Sequence, residues 1–147
     1  MTGETPLAVL ILPARLEALE LGAELERLLS APATVAVEPA QVSPRTLARL
    51  PAAVGAALAG MQARRMRLPG VPALVAVLGA VGYPLARALA LRHPGAELWY
   101  VALGDEPTGD LHELAAARAA RVYGRADPWL DALAERVAEL EADARGT

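Results

Sequence analysis

Residues 97–130 read ELWYVALGDEPTGDLHELAAARAARVYGRADPWL, and this stretch decides the fold class. Glu97 to Leu103 is an apolar run with β-formers at its centre and predicts a strand. Gly104 to Asp110 is an acidic loop punctuated by Gly and Pro. A helix is predicted from Asp110 to about Ala120, then a short strand, Arg121 to Gly124. Asp127-Pro128 opens a last helix, with Asp at the cap and the fixed φ of Pro in the first turn. Strand, helix, strand, helix within so few residues is the signature of parallel crossover units.

The same alternation extends back to the first residues. Leu7 to Leu12 is a continuous apolar run, as expected of a strand buried on both faces. Arg15 to Leu29 predicts a helix with its stripe at Ala18, Leu21, Leu25 and Leu28. Ala33 to Glu38 predicts a second strand, stopped by Pro39. Ser43-Pro44 is a helix start, and that helix restarts at Pro51 and runs to about Arg67. Ala73 to Leu78 predicts a third strand, Gly79 to Gly82 a turn, and Tyr83 to Arg92 a helix ended by Pro94-Gly95. The last helix carries its stripe at Leu130, Leu133, Val137 and Leu140, spaced to pack on a sheet or to pair with another helix. The expectation is one α/β domain over residues 1–147. It is a three-layer, Rossmann-like domain with a parallel sheet of about five strands.

Composition narrows the chemistry. There is no cysteine, so disulfides, thiolate catalysis and thiolate metal sites are excluded. The two histidines are His93 and His112, too few for a His-based metal centre, so no metal and no cofactor are expected. Phe is absent, which leaves the core to Ala, Leu and Val. Every basic residue is Arg, a mark of composition bias in the coding sequence. No charged segment leads into an apolar run at the start, so no secretory signal is expected and cytoplasm is the default.

The formal charge of −3 hides a division. Residues 1–38 hold six acids against two arginines, and residues 97–147 hold eleven acids against five. Residues 39–96 hold seven arginines and no acid. That middle third suits a phosphate, an anionic membrane surface or the chain's own acidic thirds. No nucleic-acid partner is expected. Residues 68–86 are uncharged and long enough to cross a bilayer, but Pro69, Gly70, Pro72, Gly79, Gly82 and Pro84 divide them into turn, strand, turn and helix. Arg64, Arg65 and Arg67 at the end of an apolar helix suit anionic headgroups, or a solvated helix C-terminus favoured by its dipole.

Several familiar sites are missing. The turn after the first strand reads Leu12-Pro13-Ala14-Arg15, without the glycines of a dinucleotide fingerprint, and there is no P-loop. The two serines, Ser30 and Ser43, lie in no nucleophile elbow. What remains is grouped at predicted carboxyl ends of strands. Gly79, Gly82, Tyr83 and Arg87 form a small-residue turn and helix start where N–H groups meet a ligand oxygen, or where a tight turn simply needs glycine. Asp105, Glu106 and His112 offer carboxylates and an imidazole for general acid–base chemistry; the alternative is solvated loop acids, with Asp110 capping the next helix. His93 sits at a helix C-terminus, where the dipole accounts for it. Trp99 and Tyr100 alternate on one strand and must face opposite sides of the sheet.

The run from His93 to Leu133 resembles the N-terminal half of GT-B-fold, family 4-like glycosyltransferases. The similar features are a strand ending in an acidic loop and the helix Glu113-Leu114-Ala115-Ala116-Ala117-Arg118-Ala119-Ala120. They continue in the short strand at Val122-Tyr123 and the helix opening Asp127-Pro128-Trp129-Leu130. Tyr83-Pro84-Leu85-Ala86-Arg87 is also similar. The chain departs from that pattern in an apolar turn after the third strand and in Asp127, where a serine is usual. The resemblance implies an acceptor-side domain for a sugar or lipid-linked acceptor, completed by a donor-binding partner protein or a homo-oligomer. The alternatives are a noncatalytic interaction module of the same fold and a protein attached at a membrane surface.

Overall fold

The computed structural model describes residues 6–12, 26–28, 30, 34–37, 52–102, 110–124 and 126–146. Within these residues the elements follow the expected alternation. They are β1 (Pro6–Ile11), β2 (Thr34–Val37), α1 (Ala52–Arg65), β3 (Val71–Leu78), a 3-10 turn (Ala80–Gly82) and α2 (Tyr83–Arg92). After them come β4 (Glu97–Ala102), α3 (Leu111–Arg118), β5 (Arg121–Gly124) and α4 (Trp129–Gly146). The bulk of the helix expected over 15–29 and the start expected at Ser43-Pro44 lie outside the described residues.

The five strands form one sheet in the order β2-β1-β3-β4-β5, every neighbouring pair parallel. The fold is α/β and Rossmann-like, with helices on both faces. The chain lays β2 on one side of β1 and then crosses to lay β3 on the other. The switch point of this doubly wound sheet is therefore between β1 and β3, and the crevice that such sheets offer to ligands opens at their carboxyl ends.

Side-chain alternation along the strands builds two cores. One face presents Ala8, Leu10, Ala76, Leu78, Trp99 and Val101 to α4, with Leu28 beside it. The other presents Val9, Ile11, Val75, Val77, Leu98 and Tyr100 to α1, α2 and α3. Trp99 and Tyr100 are thus each fully buried on opposite faces. Strands buried on both faces explain the unbroken apolar runs of β1 and β3.

The α4 stripe of Leu130, Leu133, Val137 and Leu140 is buried against the sheet, with Trp129 anchoring its first turn. The same spacing would suit pairing with a further helix, but the stripe is fully used by the sheet. Each such side chain contributes about 1.5–3 kcal/mol on leaving water.

Two details were not evident from pattern. β3 begins at Val71, ahead of the expected Ala73, and so contains Pro72. A proline cannot donate to a ladder, and the β1–β3 register slips by one residue there: Leu7 faces Pro72, Ala8 faces Leu74, and Ala73 is the extra residue. The uncharged run 68–86 is divided into β3, the 3-10 turn and the start of α2. Among the described residues no helix is long and apolar enough to cross a membrane.

Candidate functional site

The carboxyl end of the sheet is assembled from strand ends that hold one another. The Leu12 N–H donates to the Val37 carbonyl at 2.9 Å, and the Gly79 N–H donates to the Val101 carbonyl at 2.9 Å. Gly79 follows β3 with φ 85° and ψ 150°, a conformation that residues with a Cβ avoid, so the chain needs glycine there. The 3-10 turn follows, with Ala80 and Gly82 buried, and the Tyr83 N–H closes it on the Ala80 carbonyl. The N–H groups of Gly79 and Tyr83 are therefore committed within the protein.

Tyr100 and His112 are brought together at this end. Tyr100 is buried near the carboxyl end of β4, and His112 is exposed in the first turn of α3. The Tyr100 hydroxyl lies 2.7 Å from His112 Nδ1, and the rings meet edge to face with centroids 5.6 Å apart. The contact fixes the orientation of the imidazole. With a proton on Nε2, the phenol donates to Nδ1; with a proton on Nδ1, the ring donates to the phenol oxygen and Nε2 is left with a free lone pair. α3 also packs against the 3-10 turn, so the helix carrying His112 touches the turn between Gly79 and Tyr83.

Asp105 and Glu106 lie outside the described residues. Asp110 occupies the N-cap position of α3 in a helical conformation, but its carboxylate makes no capping hydrogen bond, which corrects the expected cap. Asp127 also differs from expectation. Its Oδ2 accepts from the Gly124 N–H at 2.6 Å, so the carboxylate is turned back to close the β5–α4 turn. His93 is the C-cap of α2, at the helix C-terminus where the sequence places it, and its N–H donates to the Leu89 carbonyl.

Tyr83 and Arg87 line a groove of about 540 Å³ that also carries Leu91, Arg118 and, at the first residues of β4, Glu97 and Leu98; Tyr100 and His112 are not part of it. Arg118, the last residue of α3, is a basic contributor that sequence reasoning missed, because only the fold brings it to the same groove as Arg87. Arg64, Arg65 and Arg67 are exposed and stand apart from this groove, at and just beyond the end of α1.

A second charged cleft, about 450 Å³, lies by the first residues of β4 and β5. Both of its arginines are paired with carboxylates. Glu97 pairs with Arg136 at 3.6 Å and Arg121 at 4.0 Å, and Arg136 reaches Glu139 at 3.0 Å. The Arg121 guanidinium is held above its ordinary pKa, first by its hydrogen bond to the Tyr123 hydroxyl, with the carboxylates adding and desolvation opposing. Among the described residues no group of His, Asp and Glu is arranged to hold a metal ion.

No protein-family model matches the chain, and no curated protein or solved structure resembles it significantly.

Proposed function

We propose that this chain is an acceptor-binding domain of a glycosyltransferase-like enzyme, in which the carboxyl end of the sheet receives a hydroxyl-bearing acceptor. The observation that carries the reading is the Tyr100–His112 contact of 2.7 Å at that end. A histidine held at Nδ1 by a buried phenol presents Nε2 in a fixed direction. In the tautomer that leaves Nε2 unprotonated, it accepts the proton of a hydroxyl as the hydroxyl oxygen bonds to the anomeric carbon of a nucleotide-sugar and the bond from that carbon to the nucleoside diphosphate breaks, the diphosphate leaving with the electron pair. The resemblance of residues 93–133 supplies the sugar-transfer chemistry. The missing dinucleotide fingerprint and P-loop leave the nucleotide-sugar donor to a second half, supplied by a partner protein or another copy.

The test is a thermal-shift panel of monosaccharide and glycolipid-headgroup acceptors, with UDP-glucose and GDP-mannose as donors. An acceptor should stabilise the chain, and His112→Ala should remove that stabilisation while lowering the melting temperature of the unliganded protein only by the few degrees that loss of the Tyr100 contact costs. The donors alone should give no shift. A rise of several degrees with a donor, or an acceptor effect unchanged in His112→Ala, would sink this assignment.

A further inference from the structure

Helices on the outside of a three-layer domain ordinarily show polar side chains to water. α1 does not. Its first ten residues, Ala52 to Met61, are all apolar. Val54, Leu58 and Met61 recur at i, i+4 and i+7 and so share one side of the helix. They are 43, 43 and 42% exposed. The opposite side supplies Ala59 and Ala63 to the core, so the stripe is not the packing face.

Where the apolar stripe ends, the charge begins. Arg65 continues the same side as Met61, Arg64 flanks it, and Arg67 follows directly after the helix; all three are exposed. α2, which packs along α1, adds exposed Arg87 and Arg92. No Asp or Glu occurs anywhere from residue 39 to 96. The arginines of this layer thus have no acidic neighbour on their own helices, and their stems allow the guanidinium groups to reach headgroups while apolar side chains sit deeper.

We propose that the outward side of α1 is a docking surface for an anionic lipid bilayer. Val54, Leu58 and Met61 enter the boundary between headgroups and acyl chains, and Arg64, Arg65 and Arg67 meet lipid phosphates. Charge complementarity selects the occupant: a neutral apolar partner would leave the arginines unmatched. The helix lies along the surface and does not cross it. The site is separate from the Tyr100–His112 pair, so this inference stands whether or not that pair handles an acceptor.

The experiment is co-sedimentation of the full chain with vesicles of phosphatidylcholine alone, or of phosphatidylcholine mixed with phosphatidylglycerol. Binding is expected to the mixed vesicles only and to weaken as salt is raised. Arg64→Gln, Arg65→Gln and Arg67→Gln together should weaken it by more than about tenfold, since each basic residue near an anionic surface contributes about fivefold. Leu58→Asp with Met61→Asp should abolish binding. Both sets lie on exposed positions, and an unchanged melting temperature identifies the loss as one of docking rather than folding. Equal binding to both vesicle types, full binding by the arginine variant, or no binding by the parent chain would each overturn the proposal. So would a dimer on size-exclusion chromatography that the Leu58→Asp, Met61→Asp variant converts to monomer, because a second copy would then cover the face.

Discussion

The Arg121 guanidinium lies 4.7 Å from the centroid of the Trp99 ring, stacked over it from the neighbouring edge strand. The register places Arg121 directly opposite Trp99 on β5. Tyr123 closes another side at 5.7 Å between centroids, and Trp99 is left 1% exposed. The seal has a consequence for the indole: its Nε1–H is buried without an acceptor. A buried donor without a partner costs about 1–3 kcal/mol. Trp99→Phe removes that penalty along with part of the ring, and should destabilise by less than about 2 kcal/mol, whereas Trp99→Ala should cost about 3–5 kcal/mol. Urea unfolding at constant m-value measures both. Equal losses would mean that the indole N–H is satisfied in solution.

Tyr100→Phe keeps the ring under α3 and removes only the hydroxyl that meets His112 Nδ1. The expected stability loss is about 0.5–1.5 kcal/mol, the net value of one hydrogen bond. The imidazole nitrogen resonances of His112 should move toward those of a freely rotating histidine, read by two-dimensional NMR. An unchanged Nδ1 signal in Tyr100→Phe would show that the phenol does not hold the ring.

Gly79 and Gly95 make a matched pair of substitutions. Gly79 has φ 85°, and Gly79→Ala should cost about 1–3 kcal/mol. For a chain of this size that lowers the melting temperature by roughly 2–4 °C per kcal/mol. A Cβ at Gly95 meets nothing within 4 Å. Gly95→Ala should therefore be neutral, or raise stability by up to about 1 kcal/mol through the unfolded chain. A neutral Gly79→Ala would contradict the backbone conformation described for the β3–α2 turn.

The Asp127 carboxylate is the acceptor that ties the end of β5 to the start of α4. Asp127→Ala should lose about 1 kcal/mol, and Asp127→Asn, which keeps a side-chain oxygen, should recover most of it. Gly124→Ala tests the same contact from the other side, because its Cβ would stand 3.3 Å from Asp127 Oδ2. Thermal melts of the three variants suffice; a harmless Asp127→Ala would remove the carboxylate from the account of this turn.

Much of the fold was legible because its signals are local. Pro84 near the start of α2 and Pro94 after its end bound the helix from Tyr83 to Arg92. The apolar runs of β1 and β3 announce strands covered on both faces. The stripe of α4 was legible too, although its spacing alone allowed two partners and only burial decided between them. Contacts that depend on register were not legible. Nothing near Trp99 in the sequence points to Arg121, and nothing near Tyr100 identifies the ring it meets twelve residues later. The carboxylates of Asp110 and Asp127 stand where caps belong, yet neither makes the expected forward bond: one bonds nothing at the cap and the other turns back to Gly124. For α1 the sequence shows an apolar helix with a basic end, and only the packed structure tells which side is left to solvent.

The strand order also sets a timetable for folding. β3, β4 and β5 are neighbours in the chain as well as in the sheet, so each pairing closes a short crossover. β1 meets β3 only after the ends of residues 12–70 come together, a closure that costs more chain entropy before any contact offsets it. The half containing α2, β4 and α3 is therefore the natural nucleus, with β1 and β2 added afterwards. Substitutions at Leu89 or Leu98 should slow refolding, while those at Val9 should chiefly speed unfolding. With such a nucleus, the candidate site at Tyr100 and His112 would lie in the half expected to form first, and the β1 side of the crevice would be completed as β1 docks on β3.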